Sequence, residues 1–179
     1  MTDIVEEKFN LLNCIRDGII TEEQYRTICT FKEEKRVIIV GNNKEKMNRI
    51  IKGLAYETKN FLEKVEYTSF LGGIGIVFSD FELQACATKL RRYFIYEDIC
   101  NDSLKKVLNY FWSSMNGICS YFLENTEDII KSIKETLNVH ERILAGIDML
   151  IKIEDDRVTI NKIEFENGKY ILKEVENGR

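Results

Sequence analysis

Arg36-Val37-Ile38-Ile39-Val40-Gly41-Asn42-Asn43 is the stretch from which the rest of the fold can be laid out. Its four consecutive β-branched residues show neither helical nor alternating spacing, so they read as a short strand buried on both faces. Charged residues precede it from Lys32 to Arg36, and Gly41-Asn42-Asn43 closes it with residues that turn a chain. From Lys44 the period changes. Met47, Ile51, Leu54, Thr58, Phe61 and Val65 recur at alternating intervals of four and three, which predicts a helix over 44–64. Strand, polar loop and helix make one βα unit.

Upstream, Ile4, Phe9, Leu12 and Ile15 mark a helix over 3–17, stopped by Asp17-Gly18. Thr21-Glu22-Glu23-Gln24 is a capping box that opens a second helix over 22–34. Residues 1–35 are thus expected to form an N-terminal helical hairpin, and 36–179 a single α+β domain. The run from Ile15 to Ile28 resembles the helical hairpin of SHOCT modules, and that resemblance, confined to those residues, implies self-association.

Downstream, 66–71 and 74–78 read as two strands of a hairpin joined at Gly72-Gly73. Ser79-Asp80-Phe81-Glu82 opens a helix whose apolar face includes Leu83, Cys86, Leu90 and Phe94. The most apolar helix is expected over 103–124. Its stripe is Leu104, Leu108, Phe111, Met115, Ile118 and Phe122, the mark of a central core helix or of a seam between subunits. Thr126-Glu127-Asp128 begins a further helix, acidic at its positive end and breaking near Asn138, and a short helix follows from Val139. The period then becomes two. Met149, Ile151 and Ile153, then Val158, Ile160, Ile163 and Phe165, then Tyr170 and Leu172 read as three strands turned at Asp155-Asp156 and Asn167-Gly168. The expected class is α+β: helical hairpin, βα unit, helical middle and three-strand antiparallel meander, forming one sheet covered on one face by helices.

Composition bounds the function. The 179 residues are 44% hydrophobic and 31% charged, which excludes a disordered chain. A chain of this length buries roughly 70% of the surface its unfolded form exposes, enough for one core. There is no proline, so Gly, Asn and Asp must do the turning. The bias toward Ile, Asn, Lys and Glu is that of an AT-rich genome. Residues 1–9 carry no apolar run, and no stretch reaches the ~18 apolar residues of a spanning helix, so a cytoplasmic location without a membrane is expected. Cys14, Cys29, Cys86, Cys100 and Cys119 are irregularly spaced without a Cys-x-x-Cys pair, which reads as reduced, buried thiols. No metal-ligand set and no cofactor motif stands out.

Several groups are candidates for chemistry. Gly41, Asn42 and Asn43 lie at the carboxyl end of a strand, where α/β sheets bind ligands, with Lys44 and Lys46 beside them. The competing reading is an ordinary helix cap, for which Asn is suited. Gly72, Gly73 and Gly75 let a backbone approach phosphate closely. Gly72 to Ile76 resembles the glycine box of histidine-kinase-like ATPases, yet the accompanying Asn box and Asp-x-Gly motif are missing. No Gly-Lys-Ser/Thr follows, so it is not a Walker A loop. A tight hairpin explains these glycines equally. His140-Glu141 resembles the phosphoacceptor pair of sensor kinases without the rest of that box, and His140 falls on the apolar stripe of Ile133, Leu137 and Leu144. Arg91 and Arg92, next to Tyr93, suit phosphate and base contact. The 26 basic against 30 acidic residues give a net charge of -4, which argues against nucleic acid.

No complete catalytic set is visible. Phe111, Trp112 and Met115, with Arg91 and Arg92, have the aromatic, Met and Arg character of protein interfaces. The expected function is therefore a non-enzymatic regulatory or protein-interaction domain, binding a partner or itself. The alternatives are a small-ligand or nucleotide-binding domain built on the Gly41-Asn43 and Gly72-Gly75 turns, and a nucleic-acid-associated factor using Arg91 and Arg92.

Overall fold

The computed structural model describes residues 10–31, 36–64, 74–77, 93–96, 99–112, 116–155 and 157–175. Along the chain run α1 (Leu11–Arg16), α2 (Glu22–Phe31), β1 (Arg36–Gly41), α3 (Lys44–Lys64), β2 (Ile74–Val77) and β3 (Tyr93–Tyr96). Then come α4 (Asn101–Trp112), β4 (Asn116–Phe122), α5 (Ile129–Leu137), a 3-10 turn (Glu141–Gly146), β5 (Met149–Glu154), β6 (Arg157–Glu166) and β7 (Lys169–Glu174). Among the described residues the seven strands form one sheet in the order β2-β3-β4-β1-β5-β6-β7. The first five in that order are mutually parallel, whereas β5, β6 and β7 run antiparallel. The class is α+β, with the expected meander at the carboxyl end of the chain.

β1 is central, between β4 and β5. Its residues from Val37 to Gly41 are all buried, and they divide between the two faces of the sheet. Val37 and Ile39 join Leu11, Cys14, Ile28, Met47, Ile50, Ile51 and Leu54 from α1, α2 and α3. Ile38 and Val40 join Leu104, Leu108, Phe111, Ile133, Leu137 and Leu144 from α4, α5 and the 3-10 turn. Helices therefore cover both faces, not one as the sequence led us to expect. The cause is the parallel block: each crossover between parallel strands lays a helix on one face or the other.

Local signals explain most element ends. Gln24 Oε1 accepts from the Thr21 N–H at 2.9 Å, and the Gln24 N–H donates to Thr21 Oγ1 at 3.1 Å, a reciprocal capping box. The Gln24 side-chain amide also donates to the Val158 carbonyl at 2.6 Å, fastening α2 to β6. Asn138 ends α5 in the left-handed region at φ 47°. Asn167 and Gly168, at φ 51° and 83°, form the two-residue turn between β6 and β7.

The expected helix over 103–124 is corrected. α4 stops at Trp112, and residues 116–122 form the buried strand β4, paired with β1 from Arg36↔Gly117 to Gly41↔Phe122. A strand enclosed on both faces shows no alternation, so Ile118 and Phe122 continued the helical spacing by coincidence. Phe94 likewise belongs to β3 rather than to a helix. Ile74–Val77 is a strand as expected, but it pairs in parallel with β3. Its expected hairpin partner at 66–71 and the helix opened by Ser79 lie outside the described residues.

Candidate functional site

From β1 the chain travels to β2 at one edge of the sheet; after β4 it crosses β1 to reach β5 on the other side. The carboxyl end of β1 is thus the point where the strand order changes direction, the place at which open parallel sheets hold ligands. Gly41, Asn42 and Asn43 stand there, between the ends of β4 and β5.

Close packing dictates Gly41. A Cβ on it would overlap the Ile153 carbonyl oxygen and lie 2.7 Å from Ile153 Cβ, so β1 and β5 approach too closely for any side chain. The next two residues are engaged by the turn after β5. Asn42 and Asp155 bond reciprocally: the Asn42 amide donates to Asp155 Oδ1 at 3.1 Å, and the Asp155 N–H donates to Asn42 Oδ1 at 2.9 Å. The Asn42 N–H reaches the Ile153 carbonyl at 3.2 Å. The Asp155 carbonyl accepts from Lys46 Nζ at 3.1 Å and from the Asn43 amide at 3.4 Å. Asn43 Oδ1 accepts from the Lys46 N–H at 3.1 Å, capping α3. Asp155 itself sits at φ 48°, a conformation Asp tolerates better than most residues.

The rest of this end is equally self-satisfied. Buried Thr126 donates its hydroxyl to Glu154 Oε1 at 2.8 Å, and Lys152 Nζ lies 3.0 Å from Glu154 Oε2. Lys152 first, then Thr126, hold the Glu154 carboxyl below its usual range. Lys44 Nζ lies 4.8 Å from the Phe122 ring centroid, a cation–π distance. At the start of α4, the Tyr121 hydroxyl donates to Asn101 Oδ1 at 2.6 Å, and Cys100 Sγ is 3.2 Å from Ser103 Oγ.

A second cluster lies at the opposite, amino end of β1. Arg36 donates to Asp148 through Nε at 2.8 Å, Nη2 at 2.7 Å and its backbone N–H at 2.9 Å. Its Nη1 donates to the Phe111 carbonyl at 3.0 Å, placing a cation on the last turn of α4. Gly146, from the 3-10 turn, is seated against α4: a Cβ there would come 2.9 Å from the Trp112 nitrogen. On this support Trp112 is 49% exposed. The guanidinium carbon of Arg142 lies over the indole, 5.8 Å from the ring centroid.

The sequence candidates fall into three groups. Gly41, Asn42 and Asn43 sit together at the switch point, while Gly75 is in β2. Phe111 is fully buried in the core and Trp112 beside it is exposed. Gly72, Gly73, Arg91, Arg92 and Met115 lie outside the described residues. His140 is exposed, and its Nδ1 accepts the Arg142 N–H at 3.1 Å, capping the 3-10 turn instead of entering the apolar stripe. Sequence reasoning missed Arg142, Arg36 and Asp148; the charged run from Lys32 to Arg36 ahead of a buried strand was the visible signal for one of them. No cluster of His, Cys, Asp or Glu that could hold a metal occurs among the described residues, and no described helix is long and apolar enough to cross a membrane.

Comparison with known proteins adds no relative: no protein-family model matches the chain, and no curated protein matches it significantly.

Proposed function

We propose that the domain acts through protein contacts, as a regulatory or interaction module in the cytoplasm. The observation that carries the reading is Trp112, a half-exposed indole at the last residue of α4 with an arginine over its ring. Trp and Arg are the residues on which binding energy concentrates in protein interfaces, and a preorganised aromatic loses little entropy on docking. Free thiols at Cys14, Cys29, Cys100 and Cys119 are in keeping with a reducing compartment. The test compares the wild type with Trp112→Ala by light scattering and by co-purification from its native cells. Association present in the wild type and lost in the variant is expected. A wild type that stays monomeric and retains no protein overturns the reading.

A second reading is favoured by the position of Gly41, Asn42 and Asn43 at the switch point: a small-ligand or nucleotide site. The engagement of Asn42, Asn43 and Lys46 by Asp155 weighs against it, because a ligand would have to displace those bonds. Thermal unfolding with millimolar nucleotides or inorganic phosphate decides between the two. A ligand that binds the native state must raise the melting temperature, so a saturable rise establishes the second reading and a flat response removes it.

A further inference from the structure

Resting on the interaction reading, we propose that the Trp112–Arg142 corner takes an acidic segment of a partner protein, with an apolar side chain on the indole and a carboxylate on the outer edge of the Arg142 guanidinium.

The argument is one of charge as well as shape. Two cations near this corner are matched by carboxylates. Arg36 is held by Asp148, and Lys134 Nζ is 3.1 Å from Glu141 Oε2. Arg142 is the exception: no carboxylate among the described residues meets its guanidinium, which rests on the indole. Among the described residues the corner therefore offers an arginine without a carboxylate, in a chain whose net charge is -4. A guanidinium stacked by its face still presents its N–H donors around the rim, and their fork matches a carboxylate bidentately. The indole supplies the apolar half of the site, and its N–H makes no hydrogen bond among the described residues.

Both groups are fixed in advance. Arg142 is on the 3-10 turn, whose start is capped by His140 Nδ1. Gly146 of the same turn is pressed against the Trp112 backbone, and Arg36 holds the carbonyl of the preceding residue, Phe111. A partner arriving here meets an indole and a guanidinium already set against each other, which lowers the ordering cost of docking. An acidic segment fits an arginine stacked on an aromatic; a basic segment would place like charges together.

Trp112 is the only tryptophan in the chain, so its fluorescence reports this corner directly. The full chain is titrated with a short capped peptide alternating Glu and Phe, and separately with the same peptide carrying Lys for Glu. The expected result is a saturable blue shift with the acidic peptide alone, weakened by salt and by about tenfold or more in Arg142→Glu. That variant should instead answer to the Lys peptide, while Arg142→Lys retains part of the wild-type response. Equal responses of the wild type and Arg142→Glu to the acidic peptide overturn the proposal, as does no response at all. A blue shift that grows with protein concentration alone, with dimers in light scattering, makes a second copy the occupant and overturns it too, leaving the interaction reading intact. Association insensitive to both Arg142→Glu and Trp112→Phe removes this corner but not the reading. A chain that associates with nothing fails the reading itself.

Discussion

Replacing Asp148 with alanine should loosen the join between β1, β5 and α4. Asp148 accepts three hydrogen bonds from Arg36, between 2.7 and 2.9 Å, and each partner's side chain is 24% exposed. A hydrogen bond to a charged group contributes about 1.5–3 kcal/mol when desolvated, and water at a quarter-exposed site recovers part of that. The truncation also strands the Arg36 guanidinium, which retains the Phe111 carbonyl as an acceptor. Together these give a cost of about 3 kcal/mol. For a chain of this size that corresponds to roughly 6 to 12 °C in melting temperature. Urea unfolding followed by far-ultraviolet circular dichroism and by Trp112 emission measures it, with an unchanged slope against denaturant showing that only stability moved. Asp148→Asn keeps an acceptor of the same shape and should lose about half as much. In a double-mutant cycle with Arg36→Ala, the coupling should be about 2 kcal/mol. If Asp148→Ala stays within about 0.5 kcal/mol of the wild type, the ion pair is only surface decoration and the reasoning fails.

Other outcomes follow from the same structure. Gly41→Ala forces a methyl onto the Ile153 backbone, so it should cost about 3 kcal/mol or yield insoluble protein, measured by denaturation; a silent substitution would mean β1 and β5 are not so close. Brief alkylation followed by mass spectrometry should label exposed Cys100 in the native state and spare Cys119, whose thiol burial alone pushes far up; Cys119 should react only on unfolding. Stability should decline as pH falls below the ordinary carboxylate range. Glu154, held down by Lys152 and Thr126, and Asp17, held down by Arg49 and Arg16, contribute above their unfolded pKa values and lose that contribution as pH drops through the lowered native ones. Denaturation midpoints across the acid range test this, and the fall should be shallower in Asp17→Asn.

How much of this was legible beforehand depends on where each signal was stored. β1, the polar loop after it and α3 were readable because they carry their own punctuation. Val37 to Val40 have the side chains of a buried strand, and Met47, Ile51 and Leu54 the spacing of a helix. The meander was readable because its strands alternate and Asn167-Gly168 has the chemistry of its turn. β4 was not. Its neighbours on both faces come from distant parts of the chain, so nothing local separated Ile118 and Phe122 from a continuing helix.

The same division runs through the candidate sites. Reading residues in order was enough to see that Gly41-Asn42-Asn43 closes a buried strand, but it grouped Phe111 with Trp112 as interface, whereas Phe111 is buried in the core. It also determined that turning falls to Gly, Asn and Asp, since there is no proline. What those residues face became visible only once the chain was folded. The strand order placed Gly41 at the switch point, and the β5–β6 turn brought Asp155 onto Asn42 across 113 positions. The 3-10 turn set Arg142 over Trp112, whereas the local basic patch beside Tyr93 had pointed to Arg91 and Arg92. The physical reason is range: backbone preference and hydrophobic period act between residues a few positions apart. Charge pairing and close approach act between whichever residues the packed sheet brings together.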